Sequence, residues 1–389
     1  VNDGSSRTAL RFVVLIGIVS LFADMTYEGA RGITEPYLAA LGASATLVGI
    51  VAGFGELVGY VLRLASGYLA DRTQRYWLIT IIGYAVNLLA VPALALAGHW
   101  PSAAFLMILE RTGKAIRNPA RDAMLSHATA EMGRGWGFGL HEALDQTGAT
   151  VGPLLVAGVL YFKDGYRTAF AVLLIPALLA LATLVLARAL YPKPQSLETI
   201  TPKLEPKGFG RDYWVYLAAV SCIALGYADY PLIAYHFEKT AGIPTDWTAV
   251  FYAAAMAVDG LAALLFGYWY DRKGVAVLMI AALSSSVFAP LVFLGGFSTV
   301  LAGTVLWGIG MGAQESIMRA AVAAMTPMDR RGTAYGLFNL GFGLFWFVGS
   351  ALMGFLYDLS LAALIGFSMA IQWISIPLFF ASHRLHRKL

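Results

Sequence analysis

The chain has 389 residues, 59% of them hydrophobic and only 13% charged, with a mean hydropathy of +0.68. A soluble domain carries about 25% charged residues, so this composition excludes a water-soluble globular protein. The formal net charge of +4 needs no nucleic-acid partner to explain it, and the single cysteine, Cys222, excludes an intrachain disulfide.

The apolar segments suit helices that cross roughly 30 Å of hydrocarbon. Open β-edges cannot sit in lipid, and no short alternating segments suggest a barrel. Twelve spans are expected near residues 10–38, 45–69, 76–98, 101–124, 135–161, 167–190, 212–238, 247–269, 275–297, 300–324, 332–357 and 360–382. Val1 to Arg11 lacks a cleavage pattern, so the first span is expected to serve as its own insertion signal. The polar, Pro-rich stretch 191–211 reads as a linker. The expected organisation is an N-terminal six-helix bundle over 1–190, a cytoplasmic linker over 191–211 and a C-terminal six-helix bundle over 212–389.

Basic residues are unevenly shared between the two sides. Arg7, Arg11, Arg72, Arg75, Arg134, Lys193, Lys203, Lys207, Arg211, Arg272, Lys273, Arg330, Arg331, Arg384, Arg387 and Lys388 lie on one side, against Lys163, Arg167 and Lys239 on the other. The crowded side is expected to be cytoplasmic, with both termini there. Spans 3, 6, 9 and 12 have no charged residue in their interiors, whereas most others carry one or more. Ionisable groups are costly in lipid, so every third helix should face lipid and the rest should enclose a polar interior.

The interior groups follow in chain order. In span 1, Asp24 and Glu28 share a helix face, with Tyr27 and Arg31 on an adjacent one. Two close carboxylates cannot both stay ionised cheaply, which suits a proton carrier; a fixed ion-pair network with span 4 is the plainer reading. Span 4 carries Glu110, Arg111, Lys114, Arg117, Arg121 and Asp122. Arg117 is the inward candidate, either for an anionic substrate or as partner of Asp24 or Glu28. Span 5 adds His141, Glu142 and Asp145, read as a second proton-competent cluster or as partners of the span-4 bases; metal ligation is a minor alternative. Glu142 and Asp145 thus join Asp24 and Glu28 as proton-coupling candidates.

The second half is poorer in charge. It offers Asp229, His236, Asp259, Gln314, Glu315 and Arg319, the last two at helical i,i+4 spacing. Tyr230, Phe338, Phe342 and other aromatics are expected either to pack or to line a cavity wall. The expected substrate contacts are Tyr27, Arg31, Arg117, His141, Tyr230, Gln314, Phe338 and Phe342. The N-half would titrate and the C-half would offer apolar contact.

The halves also repeat. Gly67-Tyr-Leu-Ala-Asp71-Arg72 recurs as Gly267-Tyr-Trp-Tyr-Asp271-Arg272, at an offset of 200. Arg134-Gly135 through Gly139-Leu140 recurs as Arg331-Gly332 through Gly336-Leu337, and Gly152 matches Gly349, both at an offset of 197. Repeats of this kind are common in secondary transporters.

With these motifs the chain resembles the major facilitator superfamily over its whole length. Gly67-x-x-x-Asp71-Arg72-x-x-Arg75 looks like the family's loop between helices 2 and 3, with Gln74 where the family usually has Gly. Gly267, Asp271 and Arg272 fit its C-half echo. Gly139-x8-Gly148-x3-Gly152-Pro153 resembles the span-5 motif of proton-coupled antiporters, except that Leu154 to Ala157 intervene before Gly158; Glu110-Arg111-Thr-Gly113-Lys114 roughly resembles its basic fourth-helix motif. The resemblance implies an all-α membrane protein with twelve transmembrane helices in two pseudo-symmetric six-helix bundles. It also implies that Asp71 meets the start of span 11 near Arg330 to Gly332, and that Asp271 meets Arg134 to Gly135, as conformational latches with Gly67, Arg72, Arg75, Gly267 and Arg272. The plain alternative is a pair of basic turns. Gly139, Gly148, Gly152 and Pro153 would serve close helix packing or seal the outer path.

The expected function is a secondary active transporter of a small organic solute, by proton-coupled antiport and alternating access. Uptake or exchange of an anionic metabolite is the alternative; metal export and lipid scrambling rank lower. No HExxH, GxSxG or nucleotide-binding loop is present, so no enzyme, cofactor or metal is expected. The expected partners are a small-molecule substrate, H+ with Na+ as the alternative ion, and the lipid bilayer. A monomer in a bacterial or archaeal inner membrane is expected.

Overall fold

The computed structural model describes residues 3–43, 45–130, 132–162, 165–198, 209–239 and 245–386. Lys163, Lys203, Lys207, Arg387 and Lys388 of the charge pattern, and most of the second half of the linker, lie outside the described residues. Among the described residues there are fifteen α-helices and no strand. They are α1 (Asp3–Ala40), α2 (Ala45–Thr73), α3 (Tyr76–Ala93), α4 (Trp100–Thr129), α5 (Arg134–Phe162), α6 (Tyr166–Val172), α7 (Leu174–Leu190), α8 (Arg211–Gly226), α9 (Tyr230–Lys239), α10 (Thr245–Lys273), α11 (Ala276–Ser286), α12 (Phe288–Leu294), α13 (Phe297–Met325), α14 (Arg331–Leu359) and α15 (Leu361–His386).

Twelve passages result, because α6 with α7, α8 with α9, and α11 with α12 each form one interrupted span. Proline accounts for two of the interruptions. Pro176 cannot donate to Val172, and Pro290 cannot donate to Ser286, the last residues of α6 and α11. The third break, at Tyr227 to Asp229, strands backbone carbonyls that lipid could not satisfy. Side chains take them up. Ser368 Oγ and Gln372 Nε2 donate to the Gly226 carbonyl at 2.6 and 3.2 Å, and Trp307 Nε1 donates to that of Ala228 at 2.9 Å. The Asp229 carboxylate then accepts from Tyr230 N, the first amide of α9, at 3.0 Å.

The charge-free passages leave rows of large apolar side chains exposed, as lipid contact requires. They include Ile82 and Leu89 on α3, Ile175, Leu178 and Val185 on α7, Ile280 and Leu283 on α11, and Trp373 and Ile374 on α15.

The chain divides into two compact units. The first comprises Val1–Met132, Leu144–Thr201 and Met328–Leu337; the second comprises Gly133–Ala143, Pro202–Pro327 and Phe338–Leu389. Two of the boundaries fall inside helices, between Ala143 and Leu144 in α5 and between Leu337 and Phe338 in α14. The opening turns of α5 group with C-half residues, and those of α14 group with N-half residues.

Repeated glycines let the helices of each unit meet at backbone distance. In the first unit, a Cβ on Gly148 would lie 2.1 Å from Leu21 O and one on Gly152 2.5 Å from Met25 O, so α5 rests directly on α1. In the second, a Cβ on Gly349 would lie 2.3 Å from Leu225 O. Gly139 serves the second unit instead, 2.4 Å from Ala263 O by the same measure. Pro153 sits inside α5, which continues through it.

Candidate functional site

In the first unit the polar interior is built on α1, α3 and α4. Arg117 of α4 is fully buried, and none of its three guanidinium nitrogens has a hydrogen-bond partner among the described residues. Its guanidinium instead lies over the Tyr84 ring, 4.2 Å from the centroid, and 5.5 Å from that of Tyr27. Lys114, one turn earlier, holds its ammonium 3.8 Å from the Tyr27 centroid. Such contacts partly offset the loss of water around a cation, by about 2 kcal/mol when desolvated.

Asp24 of α1 is 5% exposed, and its Oδ1 has no partner among the described residues. Asp145, Lys114, Arg117 and Glu28 are the charges acting on it. Glu28 is engaged differently: its Oε1 accepts from Arg31 Nη1 at 3.1 Å and lies 3.8 Å from Lys114 Nζ. The Arg31 side chain is 68% exposed, so this expected substrate contact lies on the open side of the cluster. Arg121, one turn beyond Arg117, is closed onto Asp122 at 2.9 Å. Among the described residues, Arg117 therefore has aromatic faces but no hydrogen-bond acceptor, and Asp24 Oδ1 and Asp145 Oδ1 lack donors in the same neighbourhood.

Glu142 and Asp145 do not form one cluster. Asp145 acts on Asp24 in the first unit, whereas Glu142 belongs to the second. There Arg319 Nη1 of α13 donates to Glu142 Oε2 at 3.1 Å, an interhelical pair that the i,i+4 spacing of Glu315 and Arg319 does not suggest. Glu142, Asp259 and Glu315 bring carboxylate oxygens within 4.8 Å of one another. The second unit thus holds an acidic group of its own, to which α5 contributes Glu142, α10 Asp259 and α13 Glu315. Its physical cause is the glycine-mediated docking of the start of α5 on α10. His141 is fully buried in the same unit.

The expected aromatic contacts pack among themselves. Tyr230 lies 4.6 Å from Tyr252 and 5.6 Å from Trp307 between centroids. Phe338, Phe342 and Trp346 stack along α14 at 6.1 and 5.5 Å. Gln314 donates to Gly310 O and lines a small cavity with Ile223, Ser285 and Met318.

The repeated turns make the matched contacts. Asp71 Oδ1 accepts from Gly332 N at 2.8 Å and Oδ2 from Thr333 N at 2.5 Å. Asp271 Oδ1 accepts from Gly135 N at 2.7 Å and Oδ2 from Trp136 N at 2.8 Å. Each carboxylate caps the opening turn of a helix distant in sequence, where amides lack intrahelical partners and the helix dipole favours negative charge. The glycines permit the approach. A Cβ on Gly67 would sit 2.1 Å from Gly332 O, and one on Gly267 2.3 Å from Gly135 O. Gln74 takes a left-handed φ of 56°, as Gly274 does at 61°, and its Nε2 donates to Asp71 O at 2.7 Å. Gln74 thus keeps the glycine conformation of the turn without the glycine. Arg72 and Arg75 flank this turn, and Arg272 lies over the Tyr268 ring at 3.9 Å.

The Gly67→Ala variant should therefore separate α2 from α14, because the obstacle is backbone rather than a flexible side-chain end. A loss of about 1–3 kcal/mol is expected. Gly366→Ala on α15, where a Cβ meets nothing within 4 Å, is the control and should leave the melting temperature unchanged or raised. Thermal unfolding of both variants in detergent checks this; equal melting temperatures would remove the close-approach argument.

The comparisons with known proteins agree with this architecture. The family model described as Major Facilitator Superfamily matches residues 16–258 and 218–388. The chain is 41% identical over 388 residues to an uncharacterized protein of Mycobacterium tuberculosis, covering 97% of this chain and 95% of that one. It is 27% identical over 371 residues to an uncharacterized MFS-type transporter of Methanocaldococcus jannaschii, covering 92% of each. Among solved structures it is similar to the transporter FucP in the outward conformation, with a TM-score of 0.70, 14% identity, and coverage of 97% of this chain and 98% of that one. With twelve helical passages, a duplicated Gly-Asp-Arg turn and a family match across both halves, the chain belongs to the Major Facilitator Superfamily, whose fold is that of multi-pass membrane transporters and not of enzymes.

Proposed function

We propose that this transporter moves a small organic solute by proton-coupled exchange, most simply export, with Asp24 as the proton-binding group and Arg117 as its counter-charge. The observation that carries this reading is the buried guanidinium of Arg117, without a hydrogen bond, in the neighbourhood of the buried Asp24, whose Oδ1 also lacks one among the described residues. A buried charge with no partner costs several kcal/mol, so each group favours whatever neutralises it. Ionised Asp24 stabilises Arg117 through space. Protonation of Asp24 removes that charge, and with it the acceptor that the carboxylate offers to a hydrogen-bond donor or cationic group on the solute. Proton and solute would then compete for Asp24, which is the logic of exchange.

Glu28, held by Arg31 and Lys114, is read as an ion pair that shapes the site rather than as the carrier. The capped turns at Asp71 and Asp271 are read as clasps that hold the cytoplasmic side closed. Export is supported by the span-5 glycines, whose packing on α1 and α10 matches the sealing role their motif implies.

A second reading takes the carboxylates of Glu142, Asp259 and Glu315 as a site for a cation, either a coupling ion or a transported divalent metal. Proteoliposomes loaded with a pH-sensitive dye distinguish the readings. Organic anions, neutral organic solutes and divalent cations would be offered in turn under imposed pH or sodium gradients. The exchange reading expects an organic solute to move protons in the opposite direction, with no response to sodium. Solute flux indifferent to the pH gradient would overturn it, and proton or sodium movement triggered only by divalent cations would favour the second reading.

A further inference from the structure

The segment that follows α7 turns through a short 3-10 helix, Pro194–Leu197, and delivers Glu198 into the first unit. Its carboxylate meets Arg331, the first residue of α14, in a two-pronged pair: Arg331 Nη1 to Oε2 at 2.5 Å and Nη2 to Oε1 at 2.8 Å. His127, near the end of α4, places Nδ1 2.9 Å from Oε2. All three side chains are completely buried. Arg331 therefore acts as a buried structural cation and not as one of the loop charges that set orientation. Arg134, which occupies the equivalent place in the repeat, is only half-buried.

The contacts close into a ring. The Tyr76 ring meets His127 edge-on, 6.4 Å between centroids, and its hydroxyl donates to Asp71 Oδ1 at 2.8 Å. Asp71 accepts from Gly332 N, the neighbour of Arg331, and Arg331 returns to Glu198. We propose that Glu198 is a positioning residue for the transport cycle: by gripping Arg331 it holds the opening turn of α14 where Asp71 can cap it, so that the linker itself is part of the clasp.

The charge state fits this role. Burial alone would push the Glu198 carboxyl upward, but hydrogen bonds from His127 and Arg331, with the charge of the guanidinium, outweigh it and hold the group at about 2. A depressed value means that the pair contributes in full above the ordinary carboxylate range and is lost only as pH falls toward 2. The grip therefore stays ionised at neutral pH. Its release must come from movement of the segment or of α14, not from protonation of Glu198.

This inference rests on the reading of Asp71 as a clasp, and its test separates the two. In the full chain with Cys222→Ser, spin labels near the end of α2 and the start of α14 report the distance across the clasp. Glu198→Gln keeps the shape and removes the charge. It should raise the ratio of long-distance to short-distance species at least tenfold, as should Arg331→Gln, and the double variant should match the larger single effect because both remove one pair. Glu198→Asp keeps the charge but shortens the reach; it should give a smaller shift in the same direction, and it serves as the readout if Glu198→Gln does not fold. An unchanged distribution in Glu198→Gln, or additive effects in the double variant, would overturn the role of Glu198. Asp71→Asn, measured alongside, tests the clasp alone: a shift there with none in Glu198→Gln overturns only the grip, and silence in both overturns the grip and the clasp together.

Discussion

Replacing Asp71 by Asn should open the end of the molecule that carries the Asp71 turn, by about 2–4 kcal/mol, or roughly thirty- to a thousandfold in population. The carboxylate accepts from three donors: Gly332 N, Thr333 N and Tyr76 Oη. A hydrogen bond to a charged group contributes about 1.5–3 kcal/mol, and an anion near a helix N-terminus about 0.3–1 kcal/mol when exposed and up to ~2 kcal/mol when partly buried. Asparagine keeps one acceptor oxygen but turns an NH2 group toward the second amide, where two donors then face each other. The variant should remain folded, because the glycine contacts of α5 with α1 at Gly148 and Gly152 are untouched. Spectroscopic distances across that end should lengthen. Asp271→Asn should do the same at the start of α5, with an independent effect. Unchanged distances in Asp71→Asn would remove the clasp role even if transport were impaired.

The two capping contacts were expected because the repeated Gly-Asp turns resemble the family's loop, and the resemblance implies that they meet the starts of spans 11 and 5. The passages were legible for an elementary reason, since hydrocarbon demands long apolar helices. The interrupted spans were harder: Pro176 and Pro290 marked two breaks, but the third depends on Ser368, Gln372 and Trp307, side chains far along the chain. Glu198 carried no signal, because one acid in a polar linker looks solvated until His127 and Arg331 are placed beside it. The i,i+3 spacing of Glu142 and Asp145 describes a helix face and carries no information about partners on other helices, so the pairing of Glu142 with Arg319 was not legible.

The other large effect is expected at Asp24. If proton and solute compete for Asp24, Asp24→Asn should abolish solute movement driven by a pH gradient while solute-for-solute exchange continues, because exchange needs no net proton movement. The asparagine mimics the protonated carboxyl, the state that excludes solute under the exchange reading. The solute should then bind more weakly and lose the pH dependence of its binding, whereas tighter binding of an anionic solute would point to co-transport instead. Arg117→Lys gives the complementary result. Lysine keeps the charge but loses the planar fork that lies over Tyr84 and that a carboxylate or phosphate would engage with two hydrogen bonds. A fall of about tenfold to a hundredfold in affinity for an anionic solute, with proton binding at Asp24 retained, would place the solute on Arg117 and favour the uptake alternative. Glu28→Gln should be milder on coupling, since Arg31 and Lys114 hold Glu28 as an ion pair. Counterflow and pH-driven flux, measured on the same proteoliposomes, separate these outcomes. Full pH-driven transport in Asp24→Asn, with its loss in Glu142→Gln, would move the coupling site to the carboxylates of the second unit.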